Sequence, residues 1–201
     1  MRKSHWFILA AVFGCLTLGF LAAQSKVAKL SAYGFAVEKG DSTVIVDMDM
    51  ARYRGGEKYI PLQVVVGNTG PRTLYMNRDT FTLTDPTGNK HSLATVQEIT
   101  KGYGPTLVSN DYSYYRHATI ADYTWRFQIC RFIPKVAFYA NPSGRPAITY
   151  DKVELPRNTF TKTMLYFANP DGKAKGTYTL TYDDPKSGTV ISIPFSIPWQ
   201  K

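Results

Sequence analysis

Apolar and polar residues alternate along most of this chain. Val44, Val46, Met48 and Met50 fall on one side of the stretch from Thr43 to Arg52, with Ile45, Asp47, Asp49 and Ala51 on the other. A period of two is what a β-strand imposes. Tyr33, Phe35 and Val37 repeat it upstream, and Ile60, Leu62, Val64 and Val66 repeat it from Tyr59 to Val66, where Pro61 suits a first position or an edge. Further strands are predicted at Leu74 to Met76, Thr80 to Thr84, His91 to Ile99, Thr177 to Tyr182 and Thr189 to Ile197. Pro194 and Pro198 mark the last of these as a closing edge strand.

Turn chemistry separates the strands. Asp85-Pro86-Thr87-Gly88-Asn89, Asn141-Pro142-Ser143-Gly144, Asn169-Pro170-Asp171-Gly172 and Asp184-Pro185-Lys186-Ser187-Gly188 each combine a residue that presets φ with one that tolerates positive φ. No stretch reads as a helix of clear length. Only Tyr115 to Arg131 is ambiguous, because Ile120, Tyr123, Phe127 and Cys130 share a helical stripe while Trp125, Phe127 and Ile129 alternate. Short strands at even spacing predict an all-β sandwich or barrel.

Composition agrees. The chain has 201 residues, 44% hydrophobic and 14% aromatic, which fits one core rather than a coiled coil or a disordered chain. Its 24 Lys and Arg against 15 Asp and Glu give a formal charge of +9. Met1 to Ala23 reads as a secretory signal: Arg2 and Lys3 precede an apolar run from Trp6 to Leu21, and Leu21-Ala22-Ala23 is a small-residue exit. The expected mature domain is 24–201, periplasmic or extracellular. Two alternatives keep it on a membrane: an uncleaved anchor, or lipidation at Cys15 after Val12-Phe13-Gly14. Outside the cytosol a basic surface meets envelope proteins, glycans or anionic lipids rather than nucleic acid. Cys130 is then the only mature cysteine, so no intramolecular disulfide can form, and its apolar neighbours predict burial.

Two blocks carry a resemblance. The first is Tyr59-Ile60-Pro61-Leu62-Gln63-Val64-Val65-Val66-Gly67-Asn68-Thr69-Gly70 with Phe81-Thr82-Leu83-Thr84-Asp85 and Gly88-Asn89-Lys90-His91. The second is Val153-Glu154-Leu155-Pro156-Arg157-Asn158-Thr159, Leu165-Tyr166-Phe167 and Tyr178-Thr179-Leu180-Thr181-Tyr182-Asp183. Together they resemble the telokin-like, immunoglobulin-fold domains of small exported bacterial proteins and lipoproteins of uncharacterised function. The resemblance implies an immunoglobulin-like antiparallel β-sandwich in the envelope and transfers no catalytic residue. It is interrupted by an aromatic-rich insertion at about 100–147.

That insertion interleaves rings with cations, and Lys101, Arg116, Arg126, Arg131, Lys135 and Arg145 outnumber Asp111 and Asp122. Rings beside guanidinium groups stack on sugars and hold anions. The candidate binding residues are therefore Tyr112, Tyr114, Tyr115, Arg116, Tyr123, Trp125 and Arg126; the competing reading is that these rings simply cover a sheet. No catalytic residue, metal site or cofactor is expected. The mature imidazoles are His91 and His117, without a Gly-x-Ser-x-Gly elbow. Asp47 and Asp49 could form a glycosidase pair, and Met48, Met50, Met76, Met164 and His91 a copper set, but wet-face and core positions explain both more simply. The expected function is a non-enzymatic binding module, with a glycan hydrolase or lyase and a self-associating structural subunit as alternatives.

Overall fold

A computed structural model of the chain describes residues 26–117, 125–133, 138 and 152–200, with backbone alone at 115–117 and 125. The expected signal at 1–23 with Cys15, the Asn141-Pro142-Ser143-Gly144 turn and Tyr123 lie outside the described residues.

The sequence's alternating stretches form a largely β fold. One sheet has six strands in the order β1 (Val27–Lys29), β2 (Gly34–Lys39), β3 (Ser42–Asp47), β4 (Tyr59–Asn68), β10 (Thr159–Ala168) and β8 (Arg131–Phe132). A second has four, β12 (Thr189–Phe195), β11 (Tyr178–Asp184), β6 (Phe81–Thr84) and β7 (Lys90–Ser92). A third pairs β5 (Leu74–Asn77) with β9 (Lys152–Leu155). Every pairing is antiparallel except β8 with β10.

The two larger sheets share one core. Val37, Val44, Val46, Leu62, Val64, Val66, Leu165 and Phe167 from the first meet Leu83, Leu180, Tyr182, Ile191, Ile193 and Phe195 from the second. Each such side chain contributes roughly 1.5–3 kcal/mol by leaving water. The sheets also touch at their sides: Leu93 bridges to Phe167, and the Lys39 Nζ donates to the Val190 carbonyl at 3.0 Å. The small sheet is tied on by Asp184, whose Oδ2 accepts the Tyr75 N–H at 2.8 Å, and by Tyr182, whose hydroxyl donates back to the Tyr75 carbonyl. Asn68 clamps the same end, its side-chain amide donating to Leu155 and Arg72 carbonyls.

Pro61 lies within a ten-residue strand flanked on both sides, yet its position obeys the edge rule. β3 ends at Asp47 opposite Gln63, so at Pro61 only β10 remains as a neighbour. Pro194 sits on β12, at the end of its sheet as expected.

β4 is buried at all ten positions, so the six-stranded sheet has no wet face along its centre. On the face away from the shared core, Ala36, Ile45, Val65 and Phe160 are covered by Phe127 from the insertion, whose ring stacks on Phe160 with centroids 4.9 Å apart. The ring lies against Gly67, where an added Cβ would come within 2.0 Å of it. Along the same face run Lys162, paired with Val65, and Gln63, paired with Asp47 and Met164. Lys162 is 5% exposed, and burial pushes its ammonium down to about 8.

Two helices correct the sequence reading. The strand expected from His91 to Ile99 stops at Ser92, and α1 (Val96–Gly102) follows. Its start is a capping box: the Thr95 hydroxyl accepts the Glu98 N–H at 3.2 Å, and Glu98 Oε2 accepts the Thr95 N–H at 2.7 Å. α2 (Pro105–His117) lies largely upstream of the ambiguous Tyr115 to Arg131 stretch, which then passes through a 3-10 turn at Trp125–Phe127 into β8. Met50 also departs from expectation, lying beyond the end of β3 in the turn before a 3-10 turn at Ala51–Tyr53.

Replacing Gly67 with Ala forces the Phe127 ring off its seat. The expected cost is about 1–3 kcal/mol, read as a lower urea midpoint; an unchanged midpoint refutes the covering role of Phe127.

Candidate functional site

α2 turns one face inward. Leu107, Val108, Asp111 and Tyr114 follow helical spacing, and the first two pack against the shared core while Ser109, Asn110 and Ser113 face water. A carboxylate on the inward face needs partners, and Asp111, fully buried, has four contacts. Its Oδ1 accepts from Arg54 Nη2 at 2.8 Å and Nε at 3.2 Å. Its Oδ2 accepts from the hydroxyls of Tyr103 at 2.6 Å and Tyr166 at 3.3 Å. Burial pushes the Asp111 carboxyl up, against the pull of Tyr103 and Arg54. Burial likewise raises the Tyr103 hydroxyl well above its ordinary range, which keeps it a donor.

One turn further along α2, the Tyr114 hydroxyl donates to Asp49 Oδ2 at 2.8 Å. Asp49 Oδ1 pairs with Arg52 Nε at 2.7 Å. The Arg52 guanidinium lies between two rings, 4.2 Å from the Tyr33 centroid and 4.4 Å from that of Tyr53, and donates to both hydroxyls. Tyr53 is 54% exposed. A guanidinium in contact with two tyrosine rings and paired with Asp49 holds the exposed Tyr53 ring in place, and an exposed ring of this kind can stack on a sugar.

Of the sequence candidates, Tyr114 joins this cluster directly. Tyr112 is half-buried on α2, and Tyr115 and Arg116 follow on the same helix by backbone. Arg126 pairs with Glu38 at the other end of the sheet, and Trp125 begins the turn that seats Phe127. The structure therefore does not gather all seven into one place. Tyr33, Arg52 and Tyr53 are the site residues the sequence reading missed. The run Ala51-Arg52-Tyr53-Arg54 beside Asp47 and Asp49 was the available signal.

The carboxylates of the glycosidase reading are engaged internally. Asp47 Oδ1 accepts the Asp49 N–H at 2.9 Å, closing the turn after β3, and Asp49 is held by Arg52 and Tyr114. His91 Nε2 donates to Asp85 Oδ2 at 2.7 Å, because an ionised carboxylate only accepts. The other Asp85 oxygen takes the Thr87 N–H, the Thr87 hydroxyl and the Asn89 N–H. Burial alone would raise this carboxyl, but the bonds from His91, Thr87 and Asn89 outweigh it and hold the group well below the ordinary range. Among the described residues no three His, Cys, Asp or Glu side chains are grouped to hold a metal ion. Met48 and Met76 lie in the core. Cys130 is half-buried, and burial pushes its thiol up.

No family model matches the chain, and no curated protein matches it. Among solved structures it is similar to the yjhA protein from Bacillus subtilis, known from a crystal structure, with 13% identity and a TM-score of 0.38 over 78% of this chain and 93% of that one. No helix among the described residues is long and apolar enough to cross a membrane.

Two outcomes follow from these bonds. Asp111→Ala strands Arg54 and is expected to cost about 3–5 kcal/mol, whereas Arg54→Met with Asp111→Leu recovers most of it. Urea melts of the parent, the single variant and the double variant make the comparison, and a double variant as weak as the single one overturns the ion-pair account. Asp85→Asn costs about 1–3 kcal/mol at pH 7. Because the folded pKa is depressed, that deficit is full above the ordinary carboxylate value of about 3.9 and shrinks as pH falls below it. Melts at pH 7 and pH 2.5 that show the same deficit contradict the assignment.

Proposed function

We propose that this chain is an exported, immunoglobulin-like β-sandwich that works without catalysis, as a binding module of the bacterial cell envelope. Its ligand is a glycan or other anionic envelope material, held by the aromatic and basic surface that α2 and the turn after β3 form together. The observation that carries this reading is the Arg52 guanidinium stacked between Tyr33 and half-open Tyr53 beside Tyr114. Such a surface offers the open Tyr53 ring for a sugar, held in place by the Asp49-paired Arg52 guanidinium.

Supporting observations come from elsewhere in the molecule. Two sheets that share one core suit the sandwich assignment. The Asp47 and Asp49 carboxylates that a hydrolase needs free are held in a turn and an ion pair. The basic surplus of the chain favours anionic partners. The signal-like Met1 to Ala23 supports export, with membrane attachment only through an uncleaved signal or a lipid on Cys15.

Retention of residues 24–201 on immobilised heparin, a polyanionic glycan probe, tests the reading. Arg116→Glu, on α2, and separately Tyr53→Ala are each expected to weaken retention about tenfold while the melting temperature stays within about 4 °C. Retention that neither variant changes overturns it, as does turnover of the glycan.

A further inference from the structure

A second concave feature lies where β7 leaves its sheet. β7 ends at Ser92, Leu93 makes an isolated bridge to Phe167, and the chain then lifts into α1. Because Ala94 and Ala168 are small, the space between α1 and the ends of β4 and β10 stays open as a groove of about 440 Å³. That volume falls in the range of small-molecule sites. Tyr59, Leu93 and Ala94, all buried, form an apolar floor.

Its rim is charged. Lys58 enters from the residue before β4 and Lys101 from the last turn of α1. Lys58 is exposed and runs past Gly102, where an added Cβ would lie 3.0 Å from its Cδ and 3.2 Å from its Nζ, and its ammonium sits 5.8 Å over the Tyr59 ring. The Lys58 and Lys101 ammonium groups make no side-chain hydrogen bond or ion pair among the described residues. Glu98, the carboxylate on the rim, accepts the Thr95 N–H and hydroxyl through Oε2 and also attracts Lys58 and Arg78. Arg78 adds a further positive charge below the floor, where its Nη1 donates to the Ala94 carbonyl at 2.8 Å. Lys58, Lys101 and the underlying Arg78 outnumber Glu98, the carboxylate that lines the groove, so a net positive rim over an apolar floor complements a ligand that is anionic at one end and apolar at the other.

We propose that this groove binds a soluble phosphate monoester with a short apolar portion, its phosphate between Lys58 and Lys101 and its apolar part on Tyr59, Leu93 and Ala94. None of these residues belongs to the Arg52 cluster, and the proposal does not depend on export or on glycan binding.

Calorimetric titration of the full chain with hexyl phosphate, below its aggregation concentration, tests the proposal. Saturable binding is expected, at least tenfold tighter than inorganic phosphate. Lys58→Gln with Lys101→Gln should weaken it about tenfold, while Lys29→Gln with Lys175→Gln, which removes the same charge elsewhere on the surface, should leave it within twofold. Ala168→Leu narrows the groove without touching a charge and should weaken hexyl phosphate alone. Circular dichroism melts establish that each variant is folded. The proposal fails if no saturation is seen, if inorganic phosphate binds equally well, if both lysine pairs cause the same loss, or if phosphatidylglycerol vesicles are bound and hexyl phosphate is not.

Discussion

β4 has protein on both of its faces, and the rest of the architecture answers to that constraint. A strand with one wet side needs a single covering layer; one buried throughout needs two. The four-stranded sheet supplies the first. The second comes from a segment that breaks the regular succession of strands: Phe127 covers Gly67 and Val65, and α2 lies over the other end, where Tyr166 reaches Asp111. The described part of the insertion is thus in large measure structural, and its aromatic richness reflects covering area as much as display. Tyr103, Phe127 and Phe138 are all buried.

Covering that end also explains the cost accepted at Asp111. A carboxylate on the inward side of a helix, set against a β-sheet, would be strongly unfavourable alone. Arg54 and two tyrosines convert it into a fixed point of attachment. The more exposed cluster of Asp49, Arg52 and Tyr114 repeats the device one helical turn away, at the surface rather than inside. Orientation of α2 is set twice, so the rings around Arg52 are held in one arrangement before any ligand arrives. Preorganisation of this kind lowers the entropy lost on binding.

Strands and turns were legible in the sequence because their determinants are local. Alternation placed Val44, Val46, Leu62 and Val64 on the core side correctly, and Asp85 and Asp184 read as turn formers are turn formers. The helices were harder. Val96, Ile99 and Thr100 in α1, and three tyrosines in α2, are types at home in strands, so propensity pointed the wrong way and tertiary contacts decided. The Thr95-Val96-Gln97-Glu98 capping box was the overlooked local cue. The site was less legible still. Tyr33, Arg52 and Tyr114 meet only after folding, and no periodicity links them. Polar Gln63 and Lys162 likewise look like wet-face residues until the covering layer is known.

The long pairing of β4 with β10 has a consequence for how the chain is made. Tyr59 opposes Ala168 and Asn68 opposes Thr159, so the partner strand is synthesised long after β4 has appeared. In the interval, a run of Ile60, Leu62, Val64, Val65 and Val66 has neither neighbour nor cover on that side. Non-local pairing of this kind slows folding and leaves a sticky strand edge exposed. Until it closes, such a gap in the nascent chain is open to pairing with other strand edges. Its vulnerable period ends only when the C-terminal half arrives.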